Sequence, residues 1–145
     1  MSDPQLARLA DELAIRSVLD EYCLRLEVNA FGEWLDLFSQ DTVYEVYKLV
    51  LRGRAEMAEV LSKAPHGVHL PGAARIAVSG DRAETVQSYM FVSTGSNEWN
   101  TGWYFRELVR SGQGWKISRT RVKFARKGDL PPDERAAMLA FPITI

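Results

Sequence analysis

The chain has one cysteine, Cys23, so it cannot staple itself with an internal disulfide. That usage predicts a reducing, cytoplasmic setting. Only two histidines, His66 and His69, stand beside it, so no metal site is expected. Neither charge sign is in excess: 18 Lys and Arg face 19 Asp and Glu, for a net charge of −1. Nucleic-acid binding driven by overall basicity is therefore excluded. No apolar run approaches the ~20 residues that cross a bilayer, so no membrane partner is expected. The acidic start, Met1-Ser2-Asp3-Pro4, is unlike a secretory signal. Also missing are a Walker loop, a GxGxxG turn after a strand and a GxSxG elbow. Nucleotide cofactors and elbow-type serine hydrolysis fall away with them, and no cofactor is expected.

What is present is a soluble globular composition in 145 residues, the size of one domain. Leu9, Leu13, Val18, Leu19, Tyr22, Cys23 and Leu26 recur at helical spacing, with Asp3 as a candidate N-cap and a break at Asn29. Phe31, Trp34, Leu35 and Phe38 predict a second helix, ended by Ser39-Gln40-Asp41. The β-branched and aromatic run 42–51 predicts one strand, and 55–63 a third helix. Residues 64–72, which carry both histidines, read as a loop leading to a strand. Four strands follow over 74–79, 82–94, 99–110 and 115–126, joined by short polar turns. The tail holds an apolar stretch, 136–141, that could form a short helix. Helices segregated from a largely antiparallel sheet predict an α+β fold, a cone-shaped barrel whose curved sheet wraps about three N-terminal helices. With no repeat and no linker, residues 1–145 read as one domain.

Ordered short motifs run through the chain. They are Ala14-Ile15 with Tyr22 and an acid at Glu27, Trp34-Leu35-Asp36-Leu37-Phe38 with Asp41, Gly53-Arg54, and His69. Gly80-Asp81-Arg82-Ala83, Gly102-Trp103-Tyr104 and Gly114-Trp115-Lys116-Ile117 complete the set. In this order the sequence resembles the SnoaL-like branch of the nuclear transport factor 2-like superfamily, over about residues 6–126, leaving 127–145 as a C-terminal tail. It is similar there to the group holding scytalone dehydratase and hexachlorocyclohexane dehydrochlorinase. The resemblance implies a His–carboxylate dyad in an apolar cavity, at His69 and Glu27. Three positions depart from the pattern: Glu27 replaces an Asp, Ala73 stands where an Asn is usual, and Arg106 where an Asp is common.

The residues themselves support such chemistry while leaving alternatives open. A histidine with its ordinary pKa of ~6.5 can accept a proton, and a carboxylate on its other ring nitrogen would fix the tautomer. His66, three residues earlier, is a rival base, and Glu27 could equally be a surface residue. A tyrosine is the natural neutral donor for a leaving group or an enolate. The resemblance favours Tyr47 with Tyr44 as rival; Tyr22, Tyr89, Tyr104, Trp103, Arg106 and Phe91 are candidates for substrate binding. Arg119, Arg121 and Lys123 share a strand face that Glu84, Glu98 and Glu107 could neutralise. The expected function is a cofactor-independent lyase or isomerase acting on a small cyclic, aromatic or steroid-like molecule, as a homodimer or homotrimer. Two alternatives remain. One is a non-catalytic small subunit partnered with a dioxygenase large subunit, suggested by the run Glu33 to Tyr44 and the ending Trp115 to Val122. The other is a ligand-binding protein without chemistry.

Overall fold

The computed structural model describes residues 1–27 and 30–131. Helix α1 (Asp3–Glu27) buries Ile15, Leu19, Tyr22 and Cys23, one helical stripe. Leu9 and Leu13, expected on that face, are exposed at 45% and 58%, because the packed face begins only near Asp11. Asp3 is the first helical residue rather than the cap, where its charge suits the positive end of the helix. The expected break at Asn29 and the apolar stretch 136–141 lie outside the described residues.

Helix α2 (Phe31–Leu35) is shorter than its apolar spacing predicts. The chain is captured early by the sheet: the Ile117 N–H donates to the Leu37 carbonyl at 2.9 Å, and Phe38 pairs with Ile117. Strand β1 (Phe38–Val46) therefore contains Ser39-Gln40-Asp41, which the sequence had suggested as a helix end. The expected single strand 42–51 is a hairpin. It turns at Tyr47-Lys48 and returns as β2 (Leu49–Arg52), with Val46 opposite Leu49. Tyr47 holds φ at 54°, the left-handed region such a tight turn demands and side chains seldom adopt. Helix α3 (Gly53–Leu61) follows and buries Met57.

Strands β3 (Gly67–Ser79), β4 (Arg82–Ser93), β5 (Glu98–Ser111) and β6 (Gly114–Asp129) form an antiparallel meander. The six-stranded sheet has the order β2-β1-β6-β5-β4-β3, and only β1 and β6 are parallel. Register shifts at Pro71/Ala74, Thr101/Gly102 and Glu107/Leu108 bend the long strands. The result is an open, curved sheet packed against the N-terminal helices, an α+β cone that does not close. No helix among the described residues is long and apolar enough to cross a membrane.

The inner face is set by alternation: Ala83, Thr85, Gln87 and Tyr89 on β4, and Gly102, Tyr104, Arg106 and Leu108 on β5, are all buried. Hydropathy does not announce this choice, since Val86, Met90 and Val92 are only half-buried on the opposite face. Arg119 and Arg121 lie on the outer face. Glu45 of the neighbouring β1 pairs with both, at 3.1 and 3.8 Å, and Glu107, one of the carboxylates suggested by sequence, lies opposite Arg119 on β5. Helix α1 is tied to the sheet by Asp11, whose carboxylate accepts two bonds from Arg110 at 2.7 and 2.8 Å and one from Trp115 Nε1 at 3.2 Å.

At Gly102 a side chain has no room: a Cβ there would lie 2.0 Å from the main-chain oxygen of Lys123 on β6. Gly102→Ala should destabilise the fold by about 1–3 kcal/mol through backbone displacement, seen as a lower urea midpoint with unchanged slope. An unchanged midpoint would refute this β5–β6 register.

Candidate active site

Two adjoining hollows of about 350 and 540 Å³ lie between the helices and the sheet, the smaller mostly apolar and the larger of mixed polarity. Tyr44, His69 and Tyr104 line both, with Leu61, Ala64 and Pro65, and these residues form the waist between them. The smaller lobe runs back to Tyr22, Phe31 and Trp34; the larger reaches Tyr89, Phe91 and Trp99.

Histidine 69 reaches the waist from β3, not from a loop, because β3 begins at Gly67. Its ring leans on Phe91 at 4.9 Å, and its Nδ1 is buried without a partner among the described residues. Burial, reinforced by the positive charge of Arg106, pulls its pKa down to about 4, so the imidazole is neutral at pH 7. Glu27, at the end of α1, does meet His69, though not at the ring. Its Oε1 accepts the His69 main-chain N–H at 2.7 Å. The physical reason is the edge. β3 is the last strand of the sheet, and a free edge N–H offers a carboxylate a donor before the ring does. His66 lines the smaller lobe as well, but is itself exposed.

The tyrosines divide by depth. Tyr22 and Tyr44 are fully buried and joined hydroxyl to hydroxyl at 2.6 Å. Tyr104 stacks on Tyr89 at 4.3 Å, and the Tyr89 hydroxyl donates to Asn100 Oδ1 at 2.8 Å. Burial raises the pKa of all four, which therefore stay protonated. Tyr47, the first choice by sequence for the donor, instead stands 76% exposed at the rim, stacked on Phe124 at 4.2 Å. The hairpin turn places it at the edge of the larger lobe, which it still lines. Phe91 lines the larger lobe. Trp103 is 44% exposed on the outer face, opposite in parity to Tyr104, and lines neither lobe. Arg106 lines neither lobe either. It is 1% exposed, packed behind Tyr22 and Tyr104. Sequence reasoning missed Trp34 as a wall of the smaller lobe and Asn100 as the partner of Tyr89. Asn100 shares the inward parity of Tyr104, the one signal that could have singled it out.

A profile of the SnoaL-like domain matches residues 7–121. The chain belongs to the SnoaL-like family. Among curated proteins none matches it in sequence. Solved structures share the fold of this SnoaL-like chain. A hexachlorocyclohexane dehydrochlorinase from Novosphingobium barchaimii aligns at 16% identity with a TM-score of 0.78, over 88% of this chain and 99% of its own. A protein assigned as a scytalone dehydratase, from Novosphingobium aromaticivorans, gives 20% and 0.74, over 92% and 94%. One assigned as an aromatic ring hydroxylase, from the same species, gives 24% and 0.72, over 84% and 94%.

The depressed pKa of His69 makes a stability prediction. The unfolded chain binds a proton near its ordinary value of 6.5, and the folded chain only near 4, so stability falls as the pH drops through that window. The loss from this residue approaches roughly 3 kcal/mol by pH 4. His69→Gln should flatten that part of a urea-midpoint profile between pH 6.5 and 4. Parallel profiles for variant and wild type would contradict a buried neutral imidazole.

Proposed function

We propose that this SnoaL-like protein is a cofactor-independent lyase of the dehydratase kind, acting on a small cyclic molecule in the two-lobed cavity. The observation that carries this reading is the neutral His69 imidazole at the waist, its Nδ1 unpartnered and hydroxyl-bearing rings on either side. A neutral imidazole can take a proton, and an apolar surrounding strengthens its electrostatic contacts with a bound molecule. The family is in accord with small-molecule binding, and the dehydratase and dehydrochlorinase neighbours share its fold.

In this reading His69 removes the proton on the carbon beside a ring carbonyl. The C–H electron pair moves onto the carbonyl oxygen, and the enolate is held by the Tyr44 hydroxyl, which Tyr22 buttresses at 2.6 Å. The enolate then re-forms the carbonyl, a C=C bond forms, and the C–O bond to the leaving hydroxyl breaks. The proton passes from His69 to that hydroxyl, and water departs. Glu27 acts on the histidine's main chain, fixing the strand that carries it. Tyr44 replaces Tyr47 as the favoured donor, since it lies at the waist and Tyr47 at the rim.

The test is turnover of a panel of cyclic β-hydroxyketones, followed by the ultraviolet absorbance of the enone. His69→Ala should lower kcat by a factor of about 10²–10⁴, the usual contribution of a general base, and His66→Ala should leave it within about threefold. The reverse pattern would exchange the two histidines. The kcat/KM profile should keep its acid limb near pH 4 rather than near 6.5, because the neutral form is the active one. Stable co-purification with a large iron–sulfur subunit, with no turnover by the chain alone, would overturn the lyase reading in favour of a non-catalytic subunit.

A further inference from the structure

Arginine 106 is a permanent charge in the wrong place for a structural residue. Its guanidinium cannot lose a proton, and it is 1% exposed. Among the described residues no carboxylate lies within salt-bridge distance of it. One N–H bond is made, from Nη1 to Gln87 Oε1 at 3.2 Å; Nε and Nη2 are buried without partners. What surrounds it is aromatic. The guanidinium carbon stands 4.0 Å from the Tyr22 ring centre and 4.1 Å from that of Tyr104. The negative faces of the two rings offset part of the cost of burying it. Burying a cation without a counter-ion normally weakens a fold.

Both rings line the smaller lobe with their other atoms, so the charge sits one ring-thickness behind the cavity wall. Its reach is visible on every side. Its charge opposes the burial-driven rise at Tyr22 and Cys23 of α1, Tyr44 of β1 and Tyr104 of β5, and adds to the fall at His69 of β3. Glu27 gives one oxygen to the His69 main chain and lines neither lobe. Among the described residues no Asp, Glu, Lys or Arg lines the smaller lobe, where the Tyr22 and Tyr44 hydroxyls are hydrogen-bonded to each other.

We propose that Arg106 is a specificity-determining positioning residue that makes the cavity a receptor for ring-borne oxyanions, phenolates or enolates. It acts through the Tyr22 and Tyr104 rings and the Tyr22–Tyr44 hydroxyl pair. The proposal rests on the cavity reading above and names its substrate class: a cyclic molecule that carries, or passes through, an oxyanion. Stacking on a cation withdraws electron density from a phenol and makes its O–H a stronger donor. The hydroxyl pair passes that polarisation to the ligand oxygen. The ligand contacts Tyr44; the arginine supplies the field. The other charges on the cavity are Glu98, Lys127 and Asp129 at the larger lobe, of mixed sign.

The probes are 4-nitrophenol, whose phenolate absorbs in the visible, and 4-nitroanisole, its uncharged O-methyl counterpart. Wild-type protein should bind the phenolate about tenfold more tightly than neutral nitrophenol, lowering the apparent pKa of the bound probe by about one unit. Arg106→Met should bring the two affinities within about twofold while binding 4-nitroanisole as wild type does. Arg106→Lys should retain most of the preference, and Lys116→Met, which removes a cation lining neither lobe, all of it. The His69 pKa, followed by NMR, should rise in Arg106→Met and hold in Arg106→Lys, a readout that mere packing would not move. Phenolate preference surviving in Arg106→Met overturns the proposal. So does equal binding of phenolate and 4-nitroanisole by wild type, which needs no variant to fold and leaves the cavity reading intact. If wild type binds neither probe, the cavity reading fails and the proposal fails with it.

Discussion

The cavity depends on where one ring sits. Tyr22, a turn and a half before the end of α1, touches the rings of Trp34, Phe38 and Tyr104 at 5.2–6.1 Å. Its hydroxyl meets Tyr44, and its face carries the guanidinium of Arg106. One side chain thus fixes the depth of the helix against β1, β5 and α2 at once. Aromatic pairs prefer tilted and edge contacts, which hold orientation as well as distance. The Asp11–Arg110–Trp115 bonds fix the same helix nearer its start, so α1 is held at two points along its length. The hollow is the space left between a helix so positioned and a sheet too curved to close on it.

Much of the fold was legible because its signals are local. Helical spacing marked the packed part of α1, and short polar turns marked the meander from β3 to β6. The ordered motifs pointed to the family that the domain profile matches. What escaped was non-local. Phe38 is equally good as the last residue of a helix or the first of a strand, and the parallel partner that decides it, Ile117, is 79 residues away. The hairpin at Tyr47-Lys48 has none of the glycine or asparagine that usually marks such a turn, so the run 42–51 read as continuous.

The site was legible to a different degree. His69 and Glu27 were singled out by resemblance, and they do meet. No sequence signal could tell that the carboxylate would take the main-chain N–H instead of the ring. The tyrosines could be named from alternation but not ranked, because rank follows depth, and depth follows the turn that throws Tyr47 outward. Arg106 was the least legible. A charged residue at inward parity on β5 normally argues against that parity. Here it is kept by two rings from different elements, α1 and the strand itself.

The bond from Glu27 to the His69 N–H has a consequence for the chain's life among other chains. β3 is an outer strand, and an unpaired outer strand is a template on which another polypeptide can add itself. The helix occupies that template with a carboxylate, an acceptor that offers no onward pairing and repels another acidic edge. The contact that steadies the histidine is thus also a guard against accretion. A drift in sequence that lost the acid would bare this edge N–H as well as loosen the strand that carries the histidine.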